Sequence, residues 1–236
     1  MPLLEPHPAA FPVNPPTDPD DPEMVAAHDW AAFEGITEVS DHWQRPGWGP
    51  DTRAYYWLVT VSERAFAGQI AQLQSAIQHL PYDPIPAGGL HLTLGRIGTV
   101  GDTDPAALQG LLSATRTGLP PAFNLTAGPI TASKGAVRYS VAPWTPLLKL
   151  HEHLARQTAA RQLGPMKPSS RLRPHIGIAY SSRRWPAVDV RAALAPMRAL
   201  PTATVRVKAV DLVAMRRERR AYRWDIVGTL RLPESD

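Results

Sequence analysis

Two histidines lie in short stretches whose alternation is typical of strands with one chemically active face. Residues 89–96 (GLHLTLGR) alternate leucines with His91 and Thr93, and residues 173–180 (RPHIGIAY) alternate isoleucines with His175. Side chains two apart on a strand point the same way, so His91 and Thr93 share a face. The pattern predicts two strands that each carry a histidine opposite a buried apolar side.

The residue types on these faces suit proton transfer on an anionic substrate. A free imidazole has a pKa of about 6.5, so one histidine can act as base and the other as acid near neutrality. The hydroxyl of Thr93 can donate a hydrogen bond to a developing negative charge. The corresponding position of the second stretch holds Gly177, which offers only space and a backbone amide. Arg173 shares the His175 face and adds positive charge.

Each histidine alone is weak evidence, because a single histidine in a strand is usually a hydrogen-bonded structural residue. Two such strands, 84 residues apart, leave room for a complete structural unit between them. The pairing favours a catalytic interpretation. An unrelated α/β scaffold with chance motifs is the structural alternative.

Composition excludes several classes of site. The chain has 236 residues, 44% of them hydrophobic, and no cysteine. It therefore lacks a disulfide framework, a thiolate metal site and a cysteine nucleophile, which suits a reducing cytoplasm. No run of about 18 apolar residues predicts a membrane helix, and no signal peptide is indicated. A glycine-rich phosphate loop is also missing, which argues against ATP use. We predict a cytoplasmic protein that has no membrane association and needs neither a cofactor nor a metal.

Charge divides the chain in two. Residues 1–51 hold ten acidic and one basic residue, whereas residues 52–236 hold 24 basic and 11 acidic residues. This asymmetry indicates a nucleic-acid or phosphate partner. Residues 1–40 are also rich in proline and are predicted to be largely disordered, although residues 24–33 could form a short helix. Such a segment would either lie over a basic groove and compete with RNA, so that its removal tightens RNA binding without unfolding the protein, or act as a solubilising tail.

Residues 41–236 are predicted to form a single bilobal α+β domain. The expected strands cover residues 53–62, 123–130, 136–142, 202–215 and 221–232, together with the two histidine strands. The expected helices cover residues 63–80, 104–118, 146–163 and 188–200, and residues 81–88 are expected to be a loop. His151 and His153 fall two apart on a helix, where they do not share a face, so they are interpreted as surface residues without a metal.

The paired motifs resemble the 2H phosphoesterase superfamily, in particular its 2′-5′ RNA ligase-like branch. His91-Leu92-Thr93-Leu94 matches the family's His-x-Thr/Ser-x motif, and His175-Ile176-Gly177-Ile178 matches except at the hydroxyl position. Residues 41–48 and 173–181 are also similar to bacterial members of this branch. The resemblance covers about residues 41–232.

The resemblance implies a pseudo-twofold fold with two antiparallel sheets and outer helices flanking a central groove. It also implies a metal-independent phosphodiesterase for 2′,3′-cyclic phosphates or 2′-5′ bonds, acting in RNA processing or on small nucleotides. His91, Thr93 and His175 would be catalytic, and Gly177, Arg173, Tyr180 and Arg96 would bind the substrate. We expect a monomer whose partner is an RNA or a nucleotide.

Gly177 keeps a rival function open. A protein with the same fold and a degraded second motif would bind RNA or nucleotides without catalysis. Arg173 is the residue expected to compensate for the missing hydroxyl, because it shares the face of His175.

Overall fold

The computed structural model describes residues 3–44 and 48–234. Its helices are α1 (Pro22–Glu34), α2 (Gln69–Ala76), α3 (Pro105–Thr115), α4 (Thr145–Ala160) and α5 (Ala187–Leu194). Its strands are β1 (Glu38–Val39), β2 (Arg53–Thr60), β3 (Tyr82–Pro84), β4 (His91–Thr99), β5 (Phe123–Ala132), β6 (Ala136–Ala142), β7 (His175–Ser181), β8 (Trp185–Pro186), β9 (Ala203–Val207), β10 (Ala209–Glu218) and β11 (Ala221–Arg231). Across the described ranges, no helix is long and apolar enough to cross a membrane.

The strands form two large antiparallel sheets. The first sheet has the order β11-β10-β2-β4, and the second has the order β3-β7-β6-β5-β9. The short strands β1 and β8 pair separately. One histidine strand, β4, lies in the first sheet and the other, β7, lies in the second, so the predicted α+β architecture with two antiparallel sheets is confirmed.

Helix α4 packs against the outer face of the first sheet, and the turn that holds Phe66 packs against the outer face of the second. The indole of Trp57 on β2 is buried and donates to Thr158 of α4 over 3.3 Å. On the second sheet, Tyr139 of β6 stacks on Phe66 with ring centroids 4.8 Å apart. Neighbouring residues on a strand point to opposite faces. The inner faces are therefore those that carry His91 and His175.

Three predicted elements differ from the structure. The helix expected over residues 63–80 is interrupted at Ala67 and Gly68, which adopt left-handed φ angles of 46° and 86°. The loop expected over residues 81–88 contains β3, which adds to the edge of β7. The strand expected over residues 202–215 breaks at Lys208, so that β9 and β10 join different sheets. Apolar alternation does not reveal these local changes of direction.

The prediction that residues 1–40 are largely disordered is wrong for the part that the structure describes. The short helix expected over residues 24–33 is present as α1, which begins with Asp21 as its N-cap and packs on β5 and β6 of the second sheet. Val25 and Phe33 are fully buried, and Asp29 is 1% exposed. We call residues 3–34 the N-terminal extension. Its order comes from long-range contacts, which local composition does not show.

His151 and His153 are buried rather than exposed, which corrects their interpretation as surface residues. The Nδ1 atom of His151 lies 2.7 Å from the hydroxyl of Ser169. The Nε2–H of His153 donates to the Thr115 carbonyl over 2.9 Å. Each of the two imidazoles on α4 thus contacts a different residue outside the helix.

Burial of His151 predicts a loss of stability in mild acid. Burial lowers the pKa of His151 from 6.5 to about 4. Below pH 6.5 the unfolded chain takes up this proton first, so stability falls with pH down to about 4. At about 1.4 kcal/mol per pKa unit, the loss is on the order of 3 kcal/mol. Denaturant unfolding from pH 7 to 4 should show a smaller loss in a His151→Leu variant, and an equal loss in both proteins would contradict the prediction.

Candidate active site

His91 lies at the start of β4 with its ring fixed by its own main chain. Its Nδ1–H donates to the Gly89 carbonyl over 2.8 Å. The imidazole packs edge-to-face with the indole of Trp224, and the two ring centroids are 5.2 Å apart. Burial lowers the pKa of His91, and the bond to Gly89 opposes this effect. A neutral ring with its proton on Nδ1 carries its lone pair on Nε2. His91 is therefore suited to accept a proton at Nε2.

His175 starts β7 with the same arrangement. Its Nδ1–H donates to the carbonyl of Arg173, again two residues earlier, over 2.9 Å. The ring is partly exposed. In both histidine strands, the main chain thus selects the same tautomer and assigns proton exchange to the same ring nitrogen.

A pocket beside His91 is bordered by residues of both histidine strands, although His175 is not among its lining residues. Strands β4 and β7 approach each other, with Cα atoms within 8 Å. The pocket lies between the sheets and is lined by His91, Gly89, Ile85, Tyr180, Tyr222 and Arg220. Its walls therefore include His91 of β4 and Tyr180 of β7.

Thr93 and Gly177 differ in what they offer to a phosphate. Thr93 is exposed on the inner face two residues after His91, as predicted. A Cβ atom added to Gly177 would lie 3.3 Å from Ile85 Cδ1 and 3.8 Å from the hydroxyl oxygen of Tyr180. Tyr180 therefore brings a hydroxyl next to the space that a threonine would occupy in the second motif.

Arg173 does not face the pocket, which corrects its interpretation as a substrate-binding residue. Its side chain donates to five backbone carbonyls, those of Pro12, Ser170, Leu172, Glu5 and Val13. A guanidinium has five N–H donors, so all of its hydrogen-bonding capacity is used. Arg173 instead ties the N-terminal extension to the chain just before His175.

The two other predicted substrate residues lie in different surroundings. Tyr180 is 8% exposed and stacks on His42 at 4.0 Å, and it lines the pocket together with His91. The guanidinium of Arg96 is exposed and lies 5.9 Å from the ring centroid of Trp48. Tyr180 is thus part of the pocket, whereas Arg96 lies beside the aromatic residues at its margin. Residues 45–47, within the stretch similar to bacterial relatives, lie outside the described residues.

Strand β11 and the turn before it contribute residues to the site that the motifs did not indicate. Tyr222 and Arg220 line the pocket, and Trp224 contacts His91. The hydroxyl of Tyr222 lies 2.9 Å from Nε2 of His42, which joins residues from distant parts of the chain. The alternation of Tyr222 and Trp224 in a predicted strand is a signal that could have identified an aromatic face.

Comparison with known proteins gives a family. The model of the 2′-5′ RNA ligase superfamily matches residues 62–219, which is more than half of the chain. The chain belongs to this superfamily. A search of curated protein sequences found no significant match.

Solved structures share the fold of this superfamily member at low sequence identity. A crystal structure of a phosphoesterase is 16% identical, with a TM-score of 0.59, and covers 78% of this chain and 100% of its own. Escherichia coli LigT complexed with 3′-AMP is 17% identical, with a TM-score of 0.56, and covers 77% and 99%. TT0787 of Thermus thermophilus is 16% identical, with a TM-score of 0.56, and covers 78% and 100%. These neighbours show the 2H phosphoesterase fold.

The superfamily match leaves the N-terminal extension unassigned. The matched region begins at residue 62, after α1 and the strand β2. The solved neighbours use nearly their whole length to cover about four fifths of this chain. The role of the extension therefore follows only from the contacts that it makes with the rest of the chain.

Proposed function

We propose that the protein is a metal-independent phosphodiesterase acting on 2′,3′-cyclic phosphates, or on 2′-5′ bonds, of RNA ends or small nucleotides. The observation that carries the proposal is the matched orientation of His91 and His175, each through Nδ1–H and a carbonyl two residues earlier. Two imidazoles suffice for both proton transfers of hydrolysis. The nucleotide complexes of LigT, with 3′-AMP and with NADP⁺, support a nucleotide substrate.

In this proposal His91 is the base and His175 is the acid. Burial favours the neutral form of His91, whereas the ring of His175 is partly exposed. Nε2 of His91 takes a proton from water while the water oxygen bonds to phosphorus. The bond from phosphorus to one ribose oxygen breaks, and His175 gives its proton to that oxygen. The product is a phosphate monoester with a free neighbouring hydroxyl.

Hydroxyl groups stabilise the charge on the phosphate. Thr93 donates to one non-bridging oxygen, and the hydroxyl of Tyr180 donates to another in place of the hydroxyl missing at Gly177. Arg220 on the pocket wall adds positive charge near the substrate. This assignment replaces Arg173 as the compensating residue.

Incubation with 2′,3′-cyclic AMP tests the function. Release of 2′-AMP or 3′-AMP, with turnover that scales with enzyme concentration, is the expected result. Binding of the cyclic nucleotide without turnover would instead favour a nucleotide-binding module, as the lack of a side-chain hydroxyl at Gly177 suggests. Neither binding nor turnover with cyclic nucleotides and 2′-5′-linked oligonucleotides would overturn the proposal.

The pH dependence of catalysis reports on His91. Because burial lowers its pKa, the base stays unprotonated to below pH 6.5, and activity is lost as the pH falls through that lowered pKa. A profile of kcat/KM from pH 4.5 to 9 should place the midpoint of the acid limb below about 6.5, the usual histidine value. An acid limb centred above 7 would contradict the role of His91 as base.

Removal of the Tyr180 hydroxyl tests whether it replaces the motif hydroxyl. Loss of one such donor costs about 10²–10³-fold in rate in other enzymes. We expect Tyr180→Phe to lower kcat within this range and Gly177→Thr to have little effect in the wild-type background. Tyr82→Phe on β3 is the matched control, since the described residues provide no hydrogen-bond partner for its buried hydroxyl. An unchanged kcat in Tyr180→Phe would remove this residue from the mechanism.

A further inference from the structure

The inner face of the second sheet is covered beside His175. Residues directly opposite each other in an antiparallel pair share a face. Ser140 of β6 opposes His175, and Arg138 opposes Gly177. Arg138 is 2% exposed and Ser140 is 1% exposed, although both lie on the face that would line a groove. Another part of the chain therefore covers the inner face of β6 beside His175.

The N-terminal extension is what covers these side chains. Asp29 of α1 accepts a hydrogen bond of 2.7 Å from the hydroxyl of Ser140 and lies 3.7 Å from the guanidinium of Arg138. Phe11 lies over the same guanidinium at 5.3 Å, and its carbonyl accepts a hydrogen bond from Arg138 over 3.2 Å. The extension thus packs directly on the inner face next to the second histidine motif.

A second attachment holds the extension against the start of β7. The side chain of Arg173 donates to the carbonyls of Glu5, Pro12 and Val13, and its own carbonyl orients His175. His28 of α1 is near enough to Arg173 for the guanidinium to contribute to lowering its pKa, after the larger effect of burial and against the opposing effect of Asp29. The extension therefore contacts residues on both sides of His175, on the neighbouring strand β6 and just before β7.

The inner face of the first sheet is open by comparison. Thr60 opposes His91 on this face, and both Thr60 and Thr93 are exposed. Trp224, beside His91, is half-buried, and Ile226 is 60% exposed two residues further along β11. Polar and apolar side chains suited to a ribose and a base are thus accessible on one side of the histidine pair.

We propose that the N-terminal extension is a wall of the active site that restricts the enzyme to terminal phosphates. The nucleoside part of the substrate lies over the first sheet, and the phosphate reaches the two histidines. No nucleotide continues beyond the phosphate over β6 and β5, because the extension fills that space. A 2′,3′-cyclic phosphate at an RNA end is accepted, and an internal 2′-5′ linkage with nucleotides on both sides is excluded. This inference rests on the proposed phosphodiesterase function.

Three substrates test the wall in the intact protein. These are 2′,3′-cyclic AMP, a dinucleotide ending in a 2′,3′-cyclic phosphate, and a 2′-5′-linked pentanucleotide with both ends blocked. We expect turnover of the first two and at least a 100-fold lower kcat/KM for the third. Comparable cleavage of the internal linkage would overturn the wall while leaving the function intact. Loss of turnover with all three would overturn the function itself.

Two exposed apolar residues provide a matched pair of variants. Ile226 lies on the open face of β11, and Met24 lies on the outer side of α1, 41% exposed. A carboxylate in the path of the nucleotide repels its phosphates. Ile226→Glu should raise KM for the dinucleotide at least tenfold, and Met24→Glu should leave it unchanged. Equal effects of the two substitutions, or no effect of Ile226→Glu, would show that the substrate does not lie over the first sheet.

Discussion

Replacement of His91 or His175 by glutamine is expected to lower the turnover of a 2′,3′-cyclic nucleotide by about 10²–10⁴-fold, the usual contribution of a general acid or base. Glutamine keeps a side chain of similar reach and can still donate to the carbonyl two residues earlier, so the fold should be retained. Initial rates at saturating substrate, with circular dichroism and thermal unfolding as checks, provide the measurement. The bridging of one phosphate by the two imidazoles stays a prediction that this experiment probes.

His79→Gln is the matched control, because His79 is exposed after the end of α2, away from the pocket. It should have wild-type activity. Full activity in either motif variant would remove that histidine from the mechanism. If both variants kept the fold and only one of them lost activity, the histidine replaced in the active variant would have no catalytic role.

Substitution of Asp29 by alanine is expected to destabilise the protein by about 3–5 kcal/mol. This is the usual cost of breaking a buried ion pair, since the remaining charge stays in an apolar environment. Here the remaining charge is Arg138, whose pKa is already lowered by burial and partly restored by Asp29. The alanine variant also removes the acceptor for the Ser140 hydroxyl. Urea unfolding at pH 7 measures the difference in the free energy of unfolding.

A double variant separates the buried charge from general damage to α1. Asp29→Ala combined with Arg138→Met removes both charges, so it should be more stable than Asp29→Ala alone. Glu23→Ala, an exposed change on the same helix, should cost less than about 0.5 kcal/mol. If Asp29→Ala behaved like Glu23→Ala, the extension would not be held by this pair. We therefore expect that removal of residues 1–40 unfolds the protein, contrary to the expectation from the sequence.

The sequence was sufficient to predict the two histidine strands and the family, because the relevant signals are local. The alternation around His91 and His175 predicted both strands, and the structure brings these strands together. The match to the superfamily confirmed the resemblance that the paired motifs indicated. The outer helices were also largely predicted, since their apolar spacing is a local property.

The surroundings of the site depend on contacts between distant residues. Asp29 meets Arg138, and Arg173 meets the carbonyls of Pro12 and Val13, although nothing near any of them in the sequence indicates a partner. An acidic, proline-rich composition predicts disorder because it ignores such pairs. Arg173 was predicted to point the same way as His175 because both were placed on one strand. In the structure β7 begins only at His175, so the strand alternation does not extend to Arg173.

The main-chain bonds to the two imidazoles have a consequence for how this site can change over time. Where a carboxylate orients a histidine, one mutation elsewhere in the chain removes the orienting group. Here the acceptors are the main-chain carbonyls of Gly89 and Arg173, so these two bonds involve no second side chain. Each histidine is thus oriented within three consecutive residues, 89–91 and 173–175. A side-chain change that leaves this main chain in place, such as glycine instead of a hydroxyl residue at position 177, therefore leaves the imidazole of His175 oriented.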